Sequence, residues 1–153
     1  MMPCPWPLER LLPHAPPMVL LDEVLDADET GARAAVTIRS DHPFWDGEKL
    51  PAHVGIELMA QTCGVFAGAK ALAAGQPARL GFLLGSRDYR ALVAGFGAGD
   101  RLEIVAQAVF LDDGMAVFDC RIEQRGAVVA EAQLTLYQPA DGDAVLQKLR
   151  GHP

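Results

Sequence analysis

His53, Glu57 and Gln61 stand in the opening turns of a stretch that is nearly all apolar or small, LPAHVGIELMAQTCGVFAGAKALAAGQ, residues 50–76. A spacing of four places each one turn from the next, on one face of a helix. A histidine and a carboxylate so placed can move protons as general base and general acid, and a glutamine one turn further on can orient the carboxylate. The plainer account of Glu57 is an acid near a helix N-terminus, favoured by the macrodipole by about 0.3–1 kcal/mol. That account fits poorly with such apolar surroundings, so Glu57 is read as functional. His53 lies where the positive helix end depresses its basicity, which suits a base more than a standing cation. Its bland reading is a solvent-accessible or interface histidine, and that of Gln61 is a buried amide tied to backbone.

The helix that must carry these residues is expected to start at Pro51 and to end at Gly75, followed by Pro77. It has no wide polar face, so it is a buried helix about 35 Å long. Glu57, Gln61, Lys70 and the flanking turn signals argue against a membrane span. Ala60, Gly64 and Gly68 form a bald stripe that lets another backbone approach closely.

The rest of the chain reads as strands. Residues 8–12 form one helical turn, 18–26 a strand, and 32–38 a half-buried strand with Ala32, Ala34, Val36 and Ile38 inward. Residues 40–49 form a loop. After the helix, 79–84 and 86–93 make one strand with a bulge at Gly85, and 94–100 a glycine-rich turn. Residues 101–110, 116–124 and 128–136 alternate cleanly as an antiparallel meander, with Phe110 and Val128 among the inward residues. The fold class is α+β, a sheet on one side of one buried helix, with its edge inviting a second copy. Residues 1–7 are an irregular segment, 8–138 the domain, and 139–153 a tail with helical residues at 144–150.

A chain of 153 residues with 50% hydrophobic and 22% charged residues makes one globular domain. A net charge of −7 argues against nucleic acid as the main partner. Cys4, Cys63 and Cys120 show neither metal spacing nor a disulfide framework, and Cys63 and Cys120 read as core residues. With no signal-peptide pattern at the start, the expected location is cytoplasmic. Arg79, Arg87, Arg90 and Arg101 can meet a phosphate or an acidic protein, or simply solvate a strand face.

Several motifs, in order, resemble the hotdog-fold 3-hydroxyacyl-[acyl carrier protein] dehydratases. They are LLPHAPPMVLLDEV (11–24), PFWDG (43–47), PAHVGIELMAQ (51–61), FLLG (82–85) and GAGDRL (97–102). The resemblance spans residues 8–138. It is nearest to the dehydratase-like subunit of aryl-polyene synthesis, which has the same short loop and the same helix opening, Pro-Ala-x-Val-Gly-Ile-Glu. It implies a hotdog fold, no cofactor, and a site shared between two chains of a dimer. Glu57 matches the family's acid. Ala52 stands at the helix-start glycine whose N–H polarises the thioester carbonyl. His14 belongs to the first motif and reads as a structural hydrogen-bonding residue.

The family's histidine has no counterpart. Where its His-Phe-Pro segment follows the loop, this chain has Glu48-Lys49-Leu50 and runs directly into Pro51. Three expectations follow. The chain is a dehydratase subunit whose partner hotdog chain supplies the histidine, acting on an acyl thioester of acyl carrier protein or coenzyme A. Alternatively, it is a homodimeric dehydratase using His53 or His42 as base. The third expectation is a hotdog acyl thioesterase or a non-catalytic acyl-binding module.

Overall fold

The computed structural model describes residues 3–12, 19–78, 81–112 and 114–138. A short helix α1 (Leu8–Leu11) precedes the hairpin β1 (Glu23–Ala27) and β2 (Gly31–Thr37). Two-residue strand β3 (Leu50–Pro51) and a 3₁₀ turn (Ala52–Val54) lead into the long helix α2 (Gly55–Ala73). Then come β4 (Phe82–Ala91), β5 (Gly95–Phe96), β6 (Arg101–Asp112), β7 (Met115–Gln124) and β8 (Ala127–Tyr137). Six strands form one antiparallel sheet in the order β1-β2-β6-β7-β8-β4, and β3 pairs with β5.

The alternation in the sequence places the core. Ala34, Ile104, Ile122 and Ala130 are successive cross-strand neighbours, all fully buried. With Leu102, Phe118 and Leu134 they form the face on which α2 lies. Leu58, Met59, Cys63, Val65 and Phe66 fill it from the helix side, and Phe66 meets Phe118 edge-to-face at 5.4 Å. This is the α+β hotdog arrangement, a sheet wrapped on one buried helix.

The helix begins later than its composition suggests. Pro51 holds an extended ψ of 143°, and Leu50–Pro51 pairs with Gly95–Phe96, so the chain is still a strand at 51 and tightens through the 3₁₀ turn first. The glycine-rich segment 94–100 therefore contains a strand, and Phe96 in it is fully buried. The C-terminus ends as expected. Gly75 takes φ +76°, its N–H donates to Leu72 O at 3.0 Å, and Gln76 N–H donates to Ala71 O at 2.9 Å, closing a Schellman-type end. The small-residue stripe admits α1, since a Cβ on Gly68 would overlap the Leu11 carbonyl.

Other departures have local causes. The strand expected over 18–26 is regular only from Glu23. The Leu20 N–H is taken by a side chain, and the Asp22 N–H still reaches Ala35 O at 2.9 Å. Phe110 is 51% exposed because a bulge between Ala108 and Phe110 reverses the alternation, and a shift at Ile122/Glu123 leaves Val128 39% exposed. β4 carries the Gly85 bulge and a second irregularity between Arg87 and Arg90, where Asp88 has φ +56°. His14, Arg79 and the 144–150 segment lie outside the described residues. No described helix is long and apolar enough to cross a membrane.

Candidate active site

Glu57 stands on the first turn of α2, half-buried. Gln61, only 1% exposed, reaches back one turn, and its Nε2 donates to Glu57 Oε1 at 3.2 Å. The backbone N–H of Leu20 donates to Gln61 Oε1 at 2.8 Å. A main-chain N–H can only donate, so it fixes which end of the amide is oxygen and turns the NH₂ toward the carboxylate. Both readings of Gln61 thus hold together, as an amide tied to backbone that also orients the acid.

His53 does not join this pair. It is exposed, and no hydrogen bond or ion pair joins it to Glu57. The i,i+4 argument needs 3.6 residues per turn, and residues 52–54 are wound at three. Ala52 is occupied on both sides. Its N–H donates to Ala94 O at 3.3 Å, and its carbonyl accepts from Gly55 N–H and from the Tyr89 hydroxyl. Tyr89 had no signal in the sequence, because only the turn of β4 at Asp88 brings it inward.

The loop closes on itself. Asp46 Oδ1 accepts from the N–H groups of Glu48 and Lys49, both at 2.8 Å, and Asp46 N–H donates to Lys49 O at 3.0 Å. Gly47, at φ +101°, makes this turn feasible. These bonds hold the Asp46 carboxyl below the usual carboxylate range. His42, in the same loop, accepts the Phe44 N–H on Nδ1 at 3.1 Å. Its neutral ring therefore carries the proton on Nε2, a buried atom without a partner, and neither nitrogen offers a free lone pair. Burial lowers the His42 pKa, outweighing the nearby Asp22 and Asp41.

A cavity of about 630 Å³ opens beside Glu57 and Gln61 and runs along α2. Leu83, Leu111, Phe118 and Leu136 make its apolar wall, and Lys70 lies at its far end. From Glu57 to Lys70 the helix rises about 20 Å. The arrangement is an oriented carboxylate at one end of an apolar groove, with neither His42 nor His53 in the lining. Cys63 and Cys120 face each other at 3.7 Å in the core, and burial pushes the Cys63 thiol up, which makes it inert. Among the described residues no cluster of His, Cys, Asp or Glu could hold a metal ion.

An antiparallel sheet wrapped on one buried helix, with an acid on that helix, is the arrangement of the hotdog dehydratases. A family model described as ApeP-like, ApeP dehydratase, matches residues 6–147, and the chain belongs to that family. It is 30% identical over 138 residues to the 3-hydroxyacyl-[acyl-carrier-protein] dehydratase FabZ of Deinococcus radiodurans, covering 87% of this chain and 91% of that one. A chain of the dehydratase heterocomplex ApeI:P from Xenorhabdus doucetiae superimposes with a TM-score of 0.87 at 33% identity, covering 94% of this chain and 97% of that one. A hypothetical thioesterase from Streptococcus pneumoniae, solved with coenzyme A, shares the fold alone, with a TM-score of 0.60 at 18% identity over 76% of this chain and 84% of that one.

Proposed function

We propose that this chain is the acid-bearing subunit of a 3-hydroxyacyl thioester dehydratase, and that a second hotdog chain brings the histidine. The observation that carries this reading is the pairing of an oriented Glu57 with a loop that closes over 46–49 and holds no histidine there. In the reaction, the partner's base removes a proton from Cα and the electron pair forms the Cα–Cβ double bond. The Cβ hydroxyl leaves as water after taking a proton from the Glu57 carboxyl. Gln61 holds Glu57 Oε1, so Oε2 is the oxygen that faces the substrate. The 3₁₀ turn that opens α2 (Ala52–Val54) supplies an N–H, and the helix its positive end, to the thioester carbonyl as enolate charge develops.

The site's surroundings support a two-chain assembly. β4 is an edge strand with its outer side unpaired in the sheet, and Leu83 and Leu84 on it are 42% and 57% exposed. The apolar groove suits an acyl chain. Arg87 and Arg90, exposed and without an ion pair among the described residues, suit an anionic carrier such as acyl carrier protein. The three free cysteines favour a reducing, cytoplasmic setting.

The test is to purify the chain alone and together with the hotdog chain that co-purifies from its native host, and to assay both on 3-hydroxyacyl thioesters. The complex is expected to dehydrate and the lone chain to be silent. Turnover by the lone chain at the rate of the complex would sink the two-chain reading. If that activity were lost in His53→Ala or His42→Ala, the base would be in this chain.

A further inference from the structure

The peptide joining Ala52 to His53 is gripped from one side. Its carbonyl accepts from Gly55 N–H within the turn and from the hydroxyl of Tyr89, which fills both lone pairs. Three features converge on that second bond. Asp88 adopts φ +56°, an unusual conformation for a residue with a side chain, within the irregularity between the Arg87 and Arg90 pairings. That turn swings Tyr89 from the outward side of the strand, where Arg87 and Arg90 lie opposite Gln133 and Glu131, toward the helix. Position 55 is glycine, and a Cβ there would overlap the Tyr89 hydroxyl and lie 3.0 Å from Ile122 Cδ1. Burial raises the Tyr89 pKa, so the phenol stays a donor.

In a trans peptide the N–H points opposite to the C=O. The His53 N–H therefore points away from Tyr89, and as an early donor of a helical segment it has no carbonyl within the turn to meet. The Ala52 N–H is already directed at Ala94 O. Resting on the dehydratase reading above, we infer that Tyr89 is a positioning residue. By donating to the Ala52 carbonyl it fixes and polarises the Ala52–His53 peptide, making the His53 N–H, not that of Ala52, the donor to the thioester carbonyl. A hydrogen bond on one end of a peptide strengthens the one made at the other.

Tyr89→Phe keeps the ring and removes only the hydroxyl, and Gly55→Ala displaces that hydroxyl from the other side. In the purified complex, both are compared with wild type using a 3-hydroxyacyl N-acetylcysteamine thioester for turnover. Infrared spectroscopy of bound, carbonyl-labelled crotonyl N-acetylcysteamine reads the hydrogen bond directly. Expected is a roughly three- to tenfold fall in kcat with little change in KM, less than loss of a whole oxyanion donor would cost. The bound carbonyl stretch is expected to move up toward that of the free thioester. An unchanged carbonyl frequency overturns the assignment, even where kcat falls, since a loosened fold alone gives that result. Glu57→Gln runs alongside. Wild-type turnover in it would overturn the reading of this chain as the acid-bearing subunit and this assignment with it, whereas a dead Glu57→Gln beside a Tyr89→Phe with wild-type turnover and carbonyl frequency overturns only the role of Tyr89.

Discussion

Gln61 Nε2 lies 3.2 Å from Glu57 Oε1 while Gln61 Oε1 holds the Leu20 N–H at 2.8 Å. One buried amide thus ties a carboxylate on the first turn of α2 to the chain that enters β1. The orientation of the acid depends on the packing of the N-terminal segment, not only on the helix that carries it.

Glu57→Gln keeps the shape of the side chain and removes its ability to give up a proton. Dehydration by the assembled complex is expected to fall by about 10²–10⁴-fold, the usual contribution of a positioned acid. Absorbance of the conjugated enoyl thioester measures it, and gel filtration should show the complex intact. A fall of less than about tenfold would remove Glu57 from the chemistry.

Gln61→Leu leaves the Leu20 N–H buried and unpaired, since Leu20 is 4% exposed. A stability loss of about 1–3 kcal/mol follows. With Glu57 no longer held, kcat should fall as well. Denaturant unfolding and turnover on the same preparation check both, and an unaltered midpoint would show that the amide bridge contributes nothing.

Two glycines of α2 should respond differently to alanine. At Gly64 the added Cβ meets Leu12 Cδ2 at 2.9 Å, a side-chain tip that can swing away. The gain in helix propensity, about 1 kcal/mol, then leaves Gly64→Ala neutral to slightly stabilising. At Gly68 the obstacles are backbone, including Leu11 C at 2.9 Å and Leu11 Cα at 3.0 Å. Gly68→Ala should cost about 1–3 kcal/mol through displacement of α1. Equal melting temperatures for the two variants would contradict this packing.

His42 titrates below its ordinary 6.5, chiefly because burial disfavours its charged form. The fold therefore prefers neutral His42. That contribution to stability is complete above the unfolded value and is lost as pH falls from 6.5 through the folded pKa, where the unfolded chain binds the proton more readily. NMR titration of the ring should give a midpoint under 6.5 and the Nε2–H tautomer. A midpoint at or above that value, or an Nδ1–H ring, would restore His42 as a candidate base.

Of the three free thiols, only Cys4 is partly exposed. Native protein should react with one equivalent of an aromatic disulfide reagent, and three after unfolding. Rapid labelling of Cys63 or Cys120 in the native state would mean that the core between α2 and β7 opens readily.

Much of this was legible from residue order. Strict alternation in β6, β7 and β8 gave the meander and most of its inward residues, because a period of two admits few other folds. Glu57 stood out because an acid is costly among Met59, Ala60 and Cys63. The misses share a cause. Counting by two places Phe110 and Val128 inward, and a bulge in each strand, between Ala108 and Phe110 and between Val128 and Ala130, reverses the count. His53 was placed on the face of Glu57 by α-helical spacing, which the 3₁₀ turn cancels. Tyr89 and the Leu20 N–H act across 37 and 41 residues of sequence, where pattern alone has no reach.

The two irregularities in β4 bear on how a partner can be chosen. Within ten residues they leave only 85–87 in uninterrupted pleat between the bulges. A long, flat border accepts any strand at any offset and can grow without limit into fibres. A border broken twice offers an incoming strand very few hydrogen bonds unless its own kinks fall in step with these. If the partner chain of the two-chain reading pairs along β4, its selection is a matter of matching defects, and the feature that aims Tyr89 at the helix doubles as one tooth of a key.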